Sequence, residues 1–159
     1  MLGGRTHITR MSHCSRAIHV LLIALAGVLG LSAVPGGITL LVGFYAPPVE
    51  QLKGSVFSDF TVPGLALLLA VGGSAVLATV LLIRRSPFSL LSAAFAGVIV
   101  MSFEFVEVLA IGSPPGPARV MQLLYFGIGL ALVSLALIAM LIDARRSSTQ
   151  PLPPSRPPA

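Results

Sequence analysis

Apolar residues in this chain come in long runs, and the polar residues collect in the gaps between them. Four runs stand out, at about 17–42, 63–83, 87–111 and 118–142. Each is long enough for a helix to cross a hydrocarbon core of about 30 Å, which takes about 20 residues. The pattern predicts an all-α, integral membrane fold: an antiparallel four-helix transmembrane bundle running up-down-up-down. Around it the sequence places an N-terminal cytoplasmic tail at 1–16, the transmembrane domain at 17–143 and a disordered, Pro-rich cytoplasmic tail at 144–159.

Breakers and caps refine the runs. Pro35-Gly36-Gly37 falls in the later part of the first and is expected to kink or loosen it. Thr61 reads as the N-cap of the second helix, with Pro63 in its first turn. Gly112-Ser113-Pro114-Pro115-Gly116-Pro117 reads as a turn between the third and fourth. In the 43–60 segment, Val49, Leu52, Val56, Phe57 and Phe60 recur at helical spacing. That spacing suits a short amphipathic helix in the membrane interface, and an irregular loop over the bundle is the other reading. Small residues recur four apart: Ala66, Ala70, Ser74 and Ala78 in the second helix, with Gly72 and Gly73 as a second patch. Ala26 and Gly30, Ala93 and Gly97, and Gly127 and Ala131 do the same in the others. Such spacing lets helices approach closely, here within the bundle.

Charge orients the bundle. Arg5, Arg10, Arg16, Arg84, Arg85, Arg145, Arg146 and Arg156 fall on one side of the predicted spans, and Lys53 and Arg119 on the other. Positive residues stay in the cytoplasm, so the expected topology has both ends inside, in a bacterial inner (plasma) membrane. Composition agrees. The chain of 159 residues is 55% hydrophobic and 9% charged, with a mean hydropathy of +0.98. Soluble domains carry about 25% charged residues. The net charge of +5 does not point to nucleic acid, because the basic residues form no stripe. The expected partners are the lipid bilayer and a membrane-protein partner or a second copy.

The first run is expected to stay in the protein. It has a basic leader, but its core is long for a signal peptide, and Leu31 is too large for a small-x-small cleavage site. Met11 is an alternative start. Cys14 is the single cysteine and precedes the first run, which leaves no intramolecular disulfide. The 151–156 stretch formally matches a PxxPxR ligand, although a solvated tail explains it as well.

Candidate chemistry concentrates in the third helix. Glu104 and Glu107 lie three apart in Phe103-Glu104-Phe105-Val106-Glu107 and share one face. At 1.5 Å per residue Glu104 falls roughly 7–8 Å beyond the midplane, with Glu107 nearer the outer interface. A charge in the hydrocarbon costs about 2.5–3.5 kcal/mol on insertion scales, so both should face the bundle interior. Equal depth pairs Glu107 with Gln122 and Glu104 with Tyr125, and Arg119 at the outer mouth comes within reach of Glu107. The expectation is a neutral Glu104 and a charged Glu107. One reading of this set is a proton- or cation-linked site; the other is a polar clamp between two helices. His19 and Asp143, at the cytoplasmic ends of the first and last spans, form a second pair, unless Asp143 turns to Arg145 or Arg146 in water. His7, His13 and His19 are six apart and share no helix face. With no HExxH, CxxC, P-loop or GxSxG motif, neither an enzyme nor a cofactor or metal site is expected.

Ser58-Asp59-Phe60 followed by Pro63-Gly64, Glu107 before Ile111-Gly112, and Gln122 early in the fourth helix form a pattern. The layout resembles a class of small four-helix membrane proteins of actinobacteria and related bacteria. The class brings no known activity, so the resemblance implies the topology and no chemistry. The leading functional expectation is a non-enzymatic structural or accessory subunit of the membrane. The alternatives are a small proton- or cation-linked transporter or channel subunit using Glu104 and Glu107, and, more remotely, an intramembrane enzyme.

Overall fold

The computed structural model describes residues 4–44, 58–113 and 115–148. Its regular structure is helical throughout, in four helices: α1 (Gly4–Leu41), α2 (Thr61–Ile83), α3 (Ser89–Ile111) and α4 (Pro117–Ser148). Each holds a stretch long and apolar enough to cross a membrane: Ser15–Leu41, Thr61–Ile83, Ser89–Ala110 and Pro117–Arg145. The middle of α2, Ala66–Gly72, is π-helical between two α-helical ends.

The helix ends differ from the hydropathy pattern where polar residues continue a helix. No Gly or Pro lies between Arg5 and Arg16, so nothing stops α1 from running back to Gly4. The stretch expected as a tail is therefore mostly helix. Ala144 and Arg145 are good helix formers and carry α4 on to Ser148. α1 also continues through Pro35 to Leu41. The first turn of α2 is served by Asp59 rather than Thr61: Asp59 Oδ1 accepts the Thr61 backbone N–H at 2.9 Å. That bond holds the Asp59 carboxyl below its usual range. The expected interfacial helix at 49–57 and the PxxPxR stretch lie outside the described residues.

α2 ends in a Schellman turn. The Ser86 N–H reaches the Leu81 carbonyl at 3.0 Å, and the Arg85 N–H reaches that of Leu82 at 3.1 Å. Arg85 occupies the left-handed position of this turn, with φ 50°, where glycine is the usual residue.

The helices pack in a ring. α1 lies against α2 and α4, α3 completes the circuit, and α1 barely touches α3. Glycines set the closest approaches. A Cβ at Gly37 would stand 2.7 Å from the backbone nitrogen of Leu68 and 2.9 Å from the Gly64 carbonyl oxygen. Gly36 and Gly37 are thus a contact surface for α2. Between α3 and α4, a Cβ at Gly97 would stand 2.6 Å from the Gly129 carbonyl oxygen, and one at Gly129 would stand 2.8 Å from that of Gly97.

Two of the small-residue stripes are corrected. Of Ala66, Ala70, Ser74 and Ala78, only Ala78 is buried, and the buried line of α2 runs Gly64, Val71, Gly72, Ala75, Ala78 and Leu82. Ala66 and Ala70 lie in the π-helical stretch, where a turn takes more than four residues, and Ser74 and Ala78 in the α-helical one, where it takes about 3.6, so a four-residue step keeps to one face in neither. In α4, Gly127 has nothing within 4 Å of an added Cβ, and Gly129 makes the approach instead. The expected pairs Ala26–Gly30 and Ala93–Gly97 are both buried.

Small side chains fill much of the interior. Ala26, Ala33, Ala75, Ala78, Ala93, Ala96 and Ala136 surround the larger Leu22, Leu29, Val71, Leu82, Val100 and Leu132. Many large apolar side chains point outward, with Leu31 77% and Leu109 71% exposed.

Candidate functional site

The carboxylates of α3 meet α4 where the 112–117 turn joins the two helices. Gly112 leaves α3 with φ 74°, a conformation glycine adopts without strain. Pro117 then opens α4, which places Gln122 in its second turn. The Gln122 Nε2 donates to Glu107 Oε1 at 3.1 Å and to the Gly112 carbonyl at 3.3 Å. Both amide hydrogens are therefore used. The flipped amide would set its oxygen against two acceptors, so the partners fix the orientation. This is the pairing of Glu107 with Gln122 that equal depth predicts.

The other expected partners are placed differently. Arg119 is exposed, and its Nη2 donates to the Ser113 carbonyl at 2.6 Å. Arg119 therefore braces the turn. Tyr125 is half-buried against the core, and no hydrogen bond joins it to Glu104 among the described residues. Glu104 is 5% exposed and Gln122 is 5% exposed. Glu104 Oε2 and Gln122 Oε1 are both buried with no hydrogen-bond partner. An ionised Glu104 and the Gln122 carbonyl oxygen are both acceptors, so neither can satisfy the other.

A second polar region lies at the far end of the bundle. A cavity of about 630 Å³ opens between the 15–23 stretch of α1, the α2–α3 turn and the end of α4. His19 and Asp143 both line it, so the sequence was right to set them at one end. His19, however, binds elsewhere: its Nε2 donates to the Leu82 carbonyl at 2.9 Å, which puts the ring proton on that nitrogen. That carbonyl also serves the Schellman turn, so His19 ties α1 to the end of α2. Sequence reasoning missed this cavity. Arg16 and Arg85 counted only as charge, Ser89 was not singled out, and the convergence of these residues with Ser86 depends on which helices are neighbours. Neither Glu104 nor Glu107 lines it.

Among the described residues, no group of three or more His, Cys, Asp or Glu side chains is placed to hold a metal ion. No protein-family model, curated protein or solved structure matches the chain.

Proposed function

We propose that this chain is a multi-pass protein of a bacterial inner membrane, with four antiparallel spans and both ends in the cytoplasm. Its role is that of a non-enzymatic structural or accessory subunit. The inside-out side-chain distribution supports insertion: alanine and glycine line much of the interior while large apolar residues face outward. So much exposed apolar surface belongs in lipid rather than water. Paired positions support the antiparallel arrangement, because Gly97 meets Gly129 and Glu107 meets Gln122 further along α3 and further back along α4.

One observation carries the structural role. The polar side chains of α3 and α4 hold each other and the intervening turn, with Gln122 bonded to Glu107 and to Gly112. Polar groups so engaged clamp two helices together, and the described cavity lies at the other end. The remaining apolar faces are then free for lipid and for a membrane-protein partner or a second copy.

A second reading rests on the orphan oxygens of Glu104 and Gln122. A buried acid without a partner is the usual mark of a proton-linked site in a membrane helix. The two readings separate in reconstituted vesicles carrying a pH-sensitive dye. The clamp predicts proton flux no greater than that of empty vesicles, with or without Glu104→Gln. A flux that the wild-type chain supports and Glu104→Gln abolishes would overturn the structural role in favour of proton-linked transport.

A further inference from the structure

We propose that the cavity at the 84–86 end of the bundle binds the phosphate group of an anionic glycerophospholipid. The proposal rests on the reading that the chain spans a bilayer with this end at the cytoplasmic face. The cavity volume of about 630 Å³ is within the range of small-ligand sites. Its polar lining brings together Arg16 from α1, Arg85 and Ser86 from the turn, and Ser89 from the start of α3. Two guanidinium groups oppose the single carboxylate of the lining, Asp143, which leaves the lining net positive. Guanidinium groups and hydroxyls are the donors that hold phosphate. His19 has Nε2 committed to the Leu82 carbonyl and acts as a wall that fixes α1 against the turn.

The apolar part of the lining points to a lipid headgroup over free phosphate. Apart from Ser15, the rest of the lining is apolar and includes Val20 and Ile83, which are also 59% and 63% exposed on the outside of the bundle. A phosphate held by Arg16 and Arg85 could therefore keep its acyl chains against those side chains. Basic pockets between helices at the cytoplasmic face are the usual setting for anionic headgroups.

Arg85 supplies an independent reason to read the basic lining as a binding site. It sits in the left-handed position of the Schellman turn, which a glycine would occupy without strain. The fold alone favours glycine there, and what arginine adds is its side chain in the cavity. Its neighbour Arg84 contributes equal charge to this end and does not line the cavity.

That difference gives a test in which stability and binding move apart. The full chain, purified in detergent, is titrated with phosphatidylglycerol, with phosphatidylcholine and separately with inorganic phosphate, and bound species are counted by native mass spectrometry. The wild-type chain is expected to retain one phosphatidylglycerol in preference to phosphatidylcholine. Arg85→Gly is expected to melt at the wild-type temperature or above, yet to bind phosphatidylglycerol about tenfold more weakly. Arg16→Ala should lose binding similarly, and Arg84→Ala should bind as wild type. Equal retention by wild type and Arg85→Gly would overturn the site, as would binding of inorganic phosphate without the lipid. Carbonate-washed membranes from the same cells separate the two levels. Loss of the chain from that fraction would defeat the spanning reading itself. A retained chain that binds no phosphatidylglycerol would defeat only this proposal.

Discussion

Gly97→Val is expected to drive α3 and α4 apart and to lower the stability of the bundle more than any other single change considered. Even the first carbon of the new side chain would stand 2.6 Å from the Gly129 carbonyl oxygen and 2.9 Å from Val133 Cγ2. The first neighbour is backbone and cannot rotate away, so the helices must separate. Overpacking of this kind costs about 1–3 kcal/mol in cores that can adjust, and a backbone clash places this site at or above the upper end. Gly97→Ala should show the same effect in smaller measure. Gly127→Ala is the control. It has no atom within 4 Å of the added carbon, and it gains helix propensity, so it should melt at or above the wild-type temperature. Thermal unfolding in detergent checks the series. A Gly97→Val protein as stable as Gly127→Ala would refute the close approach.

The second large effect is at Gln122. Gln122→Leu keeps the volume of the side chain and removes both donors. Glu107 Oε1 and the Gly112 carbonyl then lose the partner they share. A buried acceptor left unmade costs about 1–3 kcal/mol, discounted here for the half-buried Glu107. Glu107→Gln should be milder, because an amide oxygen still accepts from Gln122. The position of Arg119 matters for this ordering. A guanidinium dependent on Glu107 would make Glu107→Gln the worst of the set, but Arg119 is held by the Ser113 carbonyl. Glu104→Gln should be nearly neutral, since the amide is an isostere of the neutral acid and leaves no buried carboxylate to desolvate. Melting temperatures of the three variants give the order directly. Gln122→Leu melting with the wild type, or Glu104→Gln melting below it, would contradict the clamp.

The fold was legible in the sequence wherever hydropathy alone decides. All four apolar runs became helices, and the ends of α2 at Ile83 and α3 at Ile111 fell where the runs stop. The ends of α1 and α4 did not, because polar residues without Gly or Pro extend a helix whatever its hydropathy. The stripes of α2 and α4 were misread because residue spacing identifies a face only after neighbours are known. Gly129 and Gly127 look equivalent in sequence, and only the crossing of α3 distinguishes them. The same limit governed the site. Gln122 opposite Glu107 followed from a short turn and equal depth. Arg119 was misassigned because long cations take the nearest carbonyl as readily as a carboxylate. The cavity at the other end draws on α1, α4 and the α2–α3 turn, so no single stretch of sequence contains it.

The central claim is that these four helices cross a bilayer with both ends on the cytoplasmic side. Alkaline phosphatase fused after Ser147 and after Gly54 tests it most directly, since that enzyme is active only outside the cytoplasm. The eight-to-two division of Arg and Lys residues predicts activity from the Gly54 fusion and none from the Ser147 fusion. Phosphatase activity from the Ser147 fusion would contradict it.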